Sequence, residues 1–133
     1  AITARLTSNI LLVEPDRVLS KVYAHALRRV GHKVVCVPTA QAAVSAADQQ
    51  TPDVVVLEMQ LPSHSGTAFL YELRTYSDWL HIPVVVHTLI PPMQLKTFDT
   101  SLDELGITQR LYKPQTSLAK LVSVVEAQVS LAK

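Results

Sequence analysis

The sequence contains little of the material from which several classes of protein are built. Its 133 residues include one cysteine, three glycines and 5% aromatic residues. A single cysteine excludes a disulfide framework, and Cys36 lies in an apolar run at 33–37, which predicts a small buried side chain. Lys and Arg total 12 against 11 Asp and Glu, for a formal net charge of +1. No bulk attraction to nucleic acid or to a membrane surface is therefore expected.

Long apolar runs are also lacking. No run approaches the roughly 18 residues of a membrane span, and no signal-peptide pattern opens the chain, so we expect a protein of the reducing cytoplasm with no membrane partner. Hydrophobic residues nevertheless make up 48% of the chain and charged residues 17%. That material suffices for one core in a chain the size of one domain. The chain begins with Ala1 rather than Met, which leaves a longer parent protein open.

Short apolar segments alternate with helical patterns along the whole chain. The predicted strands lie at 9–13, 33–37, 53–57, 82–87 and 107–112. Asp16 and Thr39 are predicted helix N-caps, and Gly31 is typical of a helix end. This order predicts an α/β fold with one five-stranded parallel sheet in the flavodoxin-like order 2-1-3-4-5 and helices on both faces. We expect one domain over 9–131, preceded by a flexible lead-in at 1–8.

Two helices carry apolar stripes that predict how they pack. In the first helix the predicted buried stripe is Val18, Val22, Ala26 and Val30, flanked by Leu19, Tyr23 and Leu27. In the last helix the predicted core face is Leu118, Leu121, Val122, Val125 and Val129. Opposite that face lie Val124, Ala127 and Leu131, and exposed apolar surface of this kind favours an interface.

Four polar side chains follow four different strands of the predicted sheet. Glu58 ends the apolar run at 54–57, Glu14 follows the first strand, Thr88 follows the fourth, and Lys113 follows the fifth. The carboxyl ends of parallel strands share one edge of a sheet, where open α/β folds place their sites. We therefore expect Glu14 and Glu58 side by side, with Thr88 and Lys113 next to them.

With these residues the chain resembles the receiver domain of two-component response regulators, over about residues 9–131. The resemblance rests on Ile-Leu-Leu-Val-Glu at 10–14, on Pro62 and Gly66 behind Glu58, on Pro-Val-Val-Val-His-Thr at 83–88 and on Lys-Pro at 113–114. It implies a phosphoacceptor at position 58, Mg²⁺ held by the acidic residues, and phosphoryl contacts from Thr88 and Lys113. It also implies a signalling module rather than an enzyme. The phosphoryl transfer of that family needs a carboxylate nucleophile and a cation that offsets the phosphate charge.

The sequence departs from the family pattern at the positions that carry this chemistry. Glu58 stands where the family has an aspartate, and Pro15 stands where it has a second metal-binding acid, so we expect no cofactor and a weak or absent Mg²⁺ site at Glu14 and Glu58. Asp16 is a possible substitute acid, although capping is its expected task. Leu89 replaces a small residue and is expected to crowd a phosphate. Arg110 occupies the aromatic switch position.

These departures favour an atypical receiver that acts as a protein-interaction module without aspartyl phosphorylation. Glu58 is either a built-in substitute for the phosphoryl group or part of a degenerate pocket on a binding platform, and the second is slightly favoured. The alternative is a conventional phosphorelay receiver, or the receiver part of a transcription regulator whose output domain lies outside this chain. A flavin site is not expected, because Glu14-Pro15-Asp16 repels phosphate.

The expected partner is another protein or a second copy of the chain, not nucleic acid. The resemblance implies the face formed by the fourth helix, the fifth strand and the fifth helix, with charges from Arg110, Asp99, Asp103 and Glu104. The five histidines show no metal-binding spacing. We expect them at the surface or in loops, with His87 at the rim of the pocket; they are His25, His32, His64, His81 and His87.

Overall fold

A computed structural model describes residues 7–62, 65–98 and 104–132. In it, five strands alternate with five α-helices. The first half of the chain forms β1 (Asn9–Val13), α1 (Arg17–Arg29), β2 (Lys33–Val37), α2 (Ala40–Gln49) and β3 (Val54–Leu57). The second half forms α3 (Gly66–Leu73), β4 (Val84–Thr88), α4 (Pro92–Phe98), β5 (Ile107–Tyr112) and α5 (Leu118–Ala132), with short 3-10 helices at Ser77–Trp79 and Lys113–Gln115.

The strands form one parallel sheet in the order β2-β1-β3-β4-β5. The predicted α/β fold class and strand order are therefore confirmed. All four residues of β3 are buried, as are all five of β4, because both strands are central and both faces of the sheet are covered.

Successive residues of the central strands enter two separate cores. Leu11 and Val55 pack with α2, α3 and α4 on one face. Ile10 and Val54 pack with α1 and α5 on the other face. This two-residue alternation is the pleat of the sheet, and it divides the helices between the faces as predicted.

The ends of several helices follow the sequence signals. Asp16 caps α1 through Leu19 N at 2.9 Å, Thr39 caps α2 through Ala42 N, and Ser65 caps α3 through Ala68 N. Gly31, with φ of 99°, lies just beyond the end of α1. Its left-handed conformation is one that a side chain rarely adopts.

The buried stripe of α1 was predicted wrongly. Val18 is 71% exposed and Val22 is 40% exposed. The buried residues of α1 are Ser20, Tyr23, Ala24 and Leu27. The helix has apolar residues on two faces, and the sheet takes the face that carries Tyr23 and Leu27.

The packing of α5 and β2 also differs in part from the predictions. Val124 is buried and belongs to the core rather than to an outer face, whereas Leu118 is 43% exposed. Leu131 lies where no side chain is described. Cys36 is exposed, because β2 is the edge strand and only Val34 and Val37 of it are buried.

The structure describes two residues before β1, Thr7 and Ser8. Ser8, placed in the expected lead-in, is 2% exposed, and its carbonyl accepts from Lys33 N at 2.9 Å. Residues 1–6 lie outside the described part, as do His64 and the expected interface charges Asp99 and Asp103. Within the described residues, none of the helices has the length and apolar character needed to span a membrane.

Candidate functional site

Two carboxylates are held where the central strands end. Glu14 N donates to the Val37 carbonyl and Glu58 N donates to the Val13 carbonyl, each at 3.0 Å. These bonds extend the strand pairing by one residue and fix both backbones. The side chains are then buried, with Glu14 4% and Glu58 3% exposed. The two acids lie at the edge where the strand order was expected to bring them.

Lys113 bridges the two carboxylates. It follows β5 directly and begins the 3-10 helix Lys113–Gln115. Its Nζ lies 2.8 Å from Glu58 Oε1 and also forms a close ion pair with Glu14 Oε1. The Lys113 side chain is only 5% exposed. One buried ammonium therefore partly neutralises two buried carboxylates. This pairing offsets the free-energy cost of removing the charges from water.

Both oxygens of Glu58 are fully engaged by protein donors. Oε1 accepts from Lys113 Nζ and from Leu89 N at 3.1 Å. Oε2 accepts from Gln60 N at 3.2 Å and closely from the Thr88 hydroxyl. The Thr88 Oγ1 accepts in turn from Ile90 N at 3.1 Å. The loops after β3 and β4 thus wrap around one carboxylate.

For both Glu58 and Lys113, hydrogen bonds and ion pairing outweigh the cost of burying the charge. Burial raises the pKa of Glu58, but the hydrogen bonds from Lys113 and Thr88 together bring that pKa below its ordinary value. Burial lowers the pKa of Lys113, while its bonds to Glu14 and Glu58 raise it above its ordinary value overall. Both groups stay charged at neutral pH as a result.

Asp16 does not join this cluster through its side chain. Its Oδ1 caps α1, while its backbone N donates to Glu14 Oε2 at 3.0 Å. Glu14 is therefore held by Lys113 on one oxygen and by a backbone amide on the other. Pro15, between the two acids, has no oxygen in its side chain. Leu89 keeps a 51% exposed side chain and contributes its amide to Glu58.

His87 lies beneath the site rather than at its rim. It is 3% exposed, and its ring meets the Tyr23 ring edge-on with centroids 4.7 Å apart. Burial and the neighbouring Lys113 charge lower its pKa to about 4. The expectation of a surface position was wrong here because every residue of β4 is buried. His32 lies in the loop between α1 and β2, as expected, although it is buried there at 4% exposure.

Sequence reasoning missed the backbone donors of the site. The amides of Leu89 and Gln60 reach Glu58 regardless of their side chains, so no residue pattern marks them. Arg110 is exposed and lines a small cavity of about 110 Å³ with Thr88, Leu95 and Tyr112. Among the described residues, no cluster of three or more His, Cys, Asp or Glu side chains could hold a metal ion.

The chain is similar in sequence to known regulatory proteins. The chain is 37% identical over 79 residues to the regulatory protein TcrX of Mycobacterium tuberculosis, covering 59% of this chain and 33% of that protein. It is 29% identical over 125 residues to the sensory transduction protein RegX3 of the same organism, covering 90% of this chain and 50% of that protein. The chain thus spans half or less of the length of these relatives.

Solved structures similar to this chain also include receiver domains. The receiver domain of RstA from Klebsiella pneumoniae, in a form described as BeF3-activated, superposes with a TM-score of 0.78 at 26% identity, covering 91% of this chain and 97% of that one. The family described as the response regulator receiver domain matches residues 10–126. With that match over most of its length, the chain belongs to the response regulator receiver domain family, the signalling modules of two-component systems.

Proposed function

We propose that this receiver domain signals in a state fixed by its own sequence, independently of aspartyl phosphorylation. The observation that carries the proposal is the saturation of Glu58, whose two oxygens accept four hydrogen bonds from Lys113, Leu89, Thr88 and Gln60. A carboxylate with every lone pair engaged is a poor nucleophile, because attack would first break these bonds. Glutamate also carries its carboxylate about 1.5 Å further from the backbone than aspartate does.

Of the two roles expected for Glu58, the contacts favour a built-in substitute for the phosphoryl group. The family resemblance assigns the Thr88 hydroxyl and the Lys113 ammonium to phosphoryl oxygens. Here both are already bound to Glu58. An incoming phosphoryl group would have to displace the Glu58 carboxylate, a buried anion whose negative charge complements these donors. The pocket is therefore better described as internally occupied than as degenerate.

The residues around Glu58 do not fit the Mg²⁺ site that the family implies. A hard dication needs free oxygen ligands. The Glu14 oxygens are taken by Lys113 and by Asp16 N, and Asp16 Oδ1 is taken by Leu19 N. Pro15 supplies no side-chain oxygen. In addition, Lys113 places a cation between the two carboxylates that would have to bind the metal.

The direct test adds Mg²⁺ with acetyl phosphate or beryllofluoride to the ¹⁵N-labelled chain and follows its NMR spectrum. We expect no saturable shifts at Glu58, Thr88 or Lys113. The matched variant restores the family residues with Pro15→Asp and Glu58→Asp together, and we expect it to gain saturable shifts. Specific shifts in the unmodified chain would contradict the proposal and support a conventional phosphorelay receiver.

The lengths of the relatives support a second, compatible proposal about context. TcrX is described as a transcriptional regulatory protein, and the chain covers 33% of it. We propose that this domain is the receiver part of a longer regulatory protein and acts through protein contacts of α4, β5 and α5. The complete reading frame of the gene tests this directly. A reading frame that adds no further domain before Ala1 or after Lys133 would contradict it.

A further inference from the structure

Three cations line one recess on the flank of α1 that faces β2. Arg17, Lys21 and Arg28 border this recess, together with Ser20 and Ala24. Each of the five lies three or four residues from another of the set, which places them on one face of the helix. The recess has a volume of about 390 Å³, within the range of small-molecule sites.

The charges of the recess are largely unused by the fold. Within the described part of the chain, the side chains of Arg17 and Lys21 form no hydrogen bond or ion pair. Arg28 donates from Nη2 to the Val34 carbonyl at 2.8 Å, and this bond holds its guanidinium at the edge of the sheet. An arginine presents five N–H donors in a planar fork that suits the oxygens of a phosphate. The recess therefore concentrates positive charge in a chain whose net charge is only +1.

Ser20 adds a buried hydroxyl to the same recess. It is 8% exposed and lines the recess, and no described residue donates to its Oγ or accepts from it. Buried polar side chains are nearly always hydrogen-bonded, so the fold alone does not account for this hydroxyl. A bound anion supplies the missing acceptor. Ser20 thus indicates a ligand independently of the three cations.

The wall of the recess beside β2 is small and weakly polar. Pro15, Cys36 and Pro38 line it, and Cys36 is an exposed residue of the edge strand. Together with Ala24, these side chains offer a short apolar surface next to the cations. A ligand with a charged group and a compact organic part fits this arrangement.

Glu14 also lines the recess, but its charge is already compensated. It is 4% exposed, its Oε1 is paired with Lys113, and its Oε2 accepts from Asp16 N at 3.0 Å. The sequence alone indicated that this acid repels phosphate. In the structure its pairing with Lys113 offsets that repulsion. Of the residues in the strand-end cluster, only Glu14 borders the recess.

From this combination we propose that the recess between α1 and β2 binds a small organic phosphate. The phosphate lies against Arg17, Lys21 and Arg28 and accepts a hydrogen bond from the Ser20 hydroxyl, while the organic part packs on the apolar wall. A phosphate monoester carries about 1.5 to 2 negative charges at neutral pH, which the cations balance. The proposal goes beyond the proposed function and does not depend on it, because it concerns a different part of the chain.

Other ligands fit the recess less well. A metal cation is repelled by the positive side chains that border it. Nucleic acid buries roughly 600 Å² or more of protein surface even with a single small module, whereas these cations surround one small recess. A carboxylate ligand has two oxygens on one carbon, while a phosphate monoester presents three oxygens to several donors at once.

A set of small ligands tests the proposal by NMR on the ¹⁵N-labelled chain. Ribose 5-phosphate, AMP, inorganic phosphate, ribose and succinate are each added up to about 10 mM, which nearly saturates even a millimolar site. We expect ribose 5-phosphate or AMP to give saturable shifts at amides of α1 and β2, and to bind more weakly as salt rises. No saturable shifts with either organic phosphate would overturn the proposal. Equal affinity for inorganic phosphate or for succinate would overturn it in favour of an unselective anion site.

Removal of charge separates binding in the recess from bulk attraction. Arg17→Gln with Lys21→Gln should weaken binding of the organic phosphate by at least about tenfold. Both residues are exposed, so the fold should be retained. The matched control is Arg29→Gln with Lys33→Gln, which also removes one arginine and one lysine, at exposed positions that do not line the recess. Equal loss in the control would overturn the proposal.

Ser20→Ala distinguishes a ligand contact from a structural one. It should weaken binding of the organic phosphate by about tenfold, because a hydrogen bond to a charged group is lost. The midpoint of urea unfolding should not change, since no described residue is hydrogen-bonded to the Ser20 hydroxyl. Unchanged affinity, or a loss of affinity together with a lower urea midpoint, would overturn the role given to this hydroxyl.

The thiol of Cys36 reports whether the recess is occupied. It is the one cysteine of the chain, it is exposed, and it lines the recess. A bound organic phosphate should slow its alkylation by iodoacetamide, and the variant lacking Arg17 and Lys21 should lose this protection. An unchanged alkylation rate at saturating ligand would overturn the location. Cosedimentation with vesicles that contain phosphatidic acid, without binding of the soluble organic phosphates, would overturn the proposal in favour of a lipid headgroup.

Discussion

At the scale of single residues, the site is a small cluster of buried charges with little access to water. Lys113 is paired with two carboxylates, each of them 3% exposed in its side chain. Buried charges of this kind contribute little net stability as a set, but removing one partner leaves the others uncompensated. The Glu58 pair contributes stability above the ordinary Glu pKa of 4.5, and this is lost as pH falls through the lowered folded pKa.

Lys113→Met is therefore expected to destabilise the domain strongly. It leaves Glu14 and Glu58 together without a cation, and we expect a loss of about 3 kcal/mol or more in the free energy of unfolding. Urea unfolding at neutral pH measures it. Lys120→Met, at an exposed position of α5, is the control and should stay within about 0.5 kcal/mol. Similar small losses in both variants would show that the cluster is not a coupled set.

His87 gives the domain a pH dependence of its own. Its pKa is about 4 when folded against an ordinary value of 6.5, so the unfolded chain binds the proton more readily. Stability should therefore fall as pH drops from about 6.5 to about 4, by about 3 kcal/mol in all. Urea unfolding at several pH values between 6.5 and 4.5, above the ordinary pKa of Glu58, measures the slope.

His87→Leu should remove most of that slope, since leucine is buried without a proton equilibrium. His25→Gln is the control, because His25 is exposed on α1 and its loss should leave the slope unchanged. An unchanged slope in His87→Leu would assign the acid sensitivity to other groups.

At the scale of elements, sequence patterns located strands and helix starts better than they located helix faces. The strand-end cluster was predictable because parallel strands end at one edge. The inner face of α1 was not, since Val18 and Val22 repeat with the same period as Tyr23 and Leu27. Only contact with the sheet decides between two such stripes, and contact depends on residues distant in sequence. Val124 of α5 was misplaced for the same reason.

Arg74 links three elements that the sequence does not connect. Its guanidinium donates to the carbonyls of Trp79 at 2.6 Å, Ile82 at 2.7 Å and Leu105 at 2.8 Å. Nη2 also lies 3.4 Å from the Gly106 carbonyl. Burial lowers its pKa, yet an arginine stays charged at neutral pH. One side chain at the end of α3 thus ties together the segments that precede β4 and β5.

Arg74→Met should destabilise the domain by about 3 kcal/mol, because several buried carbonyls lose their donors at once. Amide hydrogen exchange should speed up most at the start of β5. Arg28→Met is the control: Arg28 gives one such bond, to Val34 at 2.8 Å, and should cost about 1 kcal/mol. If amide hydrogen exchange instead speeds up equally across the whole sheet, Arg74 does not act as a local link between the segments before β4 and β5.

At the scale of the whole molecule, the question is whether Glu58 sets the conformation of the face formed by α4 and β5. Its carboxylate holds Thr88 at the end of β4, and Thr88 holds Ile90 in the loop that leads to α4. A two-state element needs a local contact that differs between its states. In this chain Glu58 itself provides the contact with Thr88, so we expect the face to rest in one arrangement.

Glu58→Gln removes the charge while keeping the size of the side chain, and it should release Thr88 and Lys113 together. We expect NMR shifts that extend from Thr88 through α4 to Arg110 and Tyr112, beyond the residues that donate hydrogen bonds to Glu58. Glu72→Gln, on the exposed face of α3, should shift only its neighbours.

If Glu58→Gln also perturbs only its immediate contacts, Glu58 has only a structural role in its ion pair, and other residues determine the conformation of the face. Long-range shifts in that variant, together with none on adding beryllofluoride to the unmodified chain, would mean that Glu58 supplies the signal that the family resemblance assigns to phosphorylation.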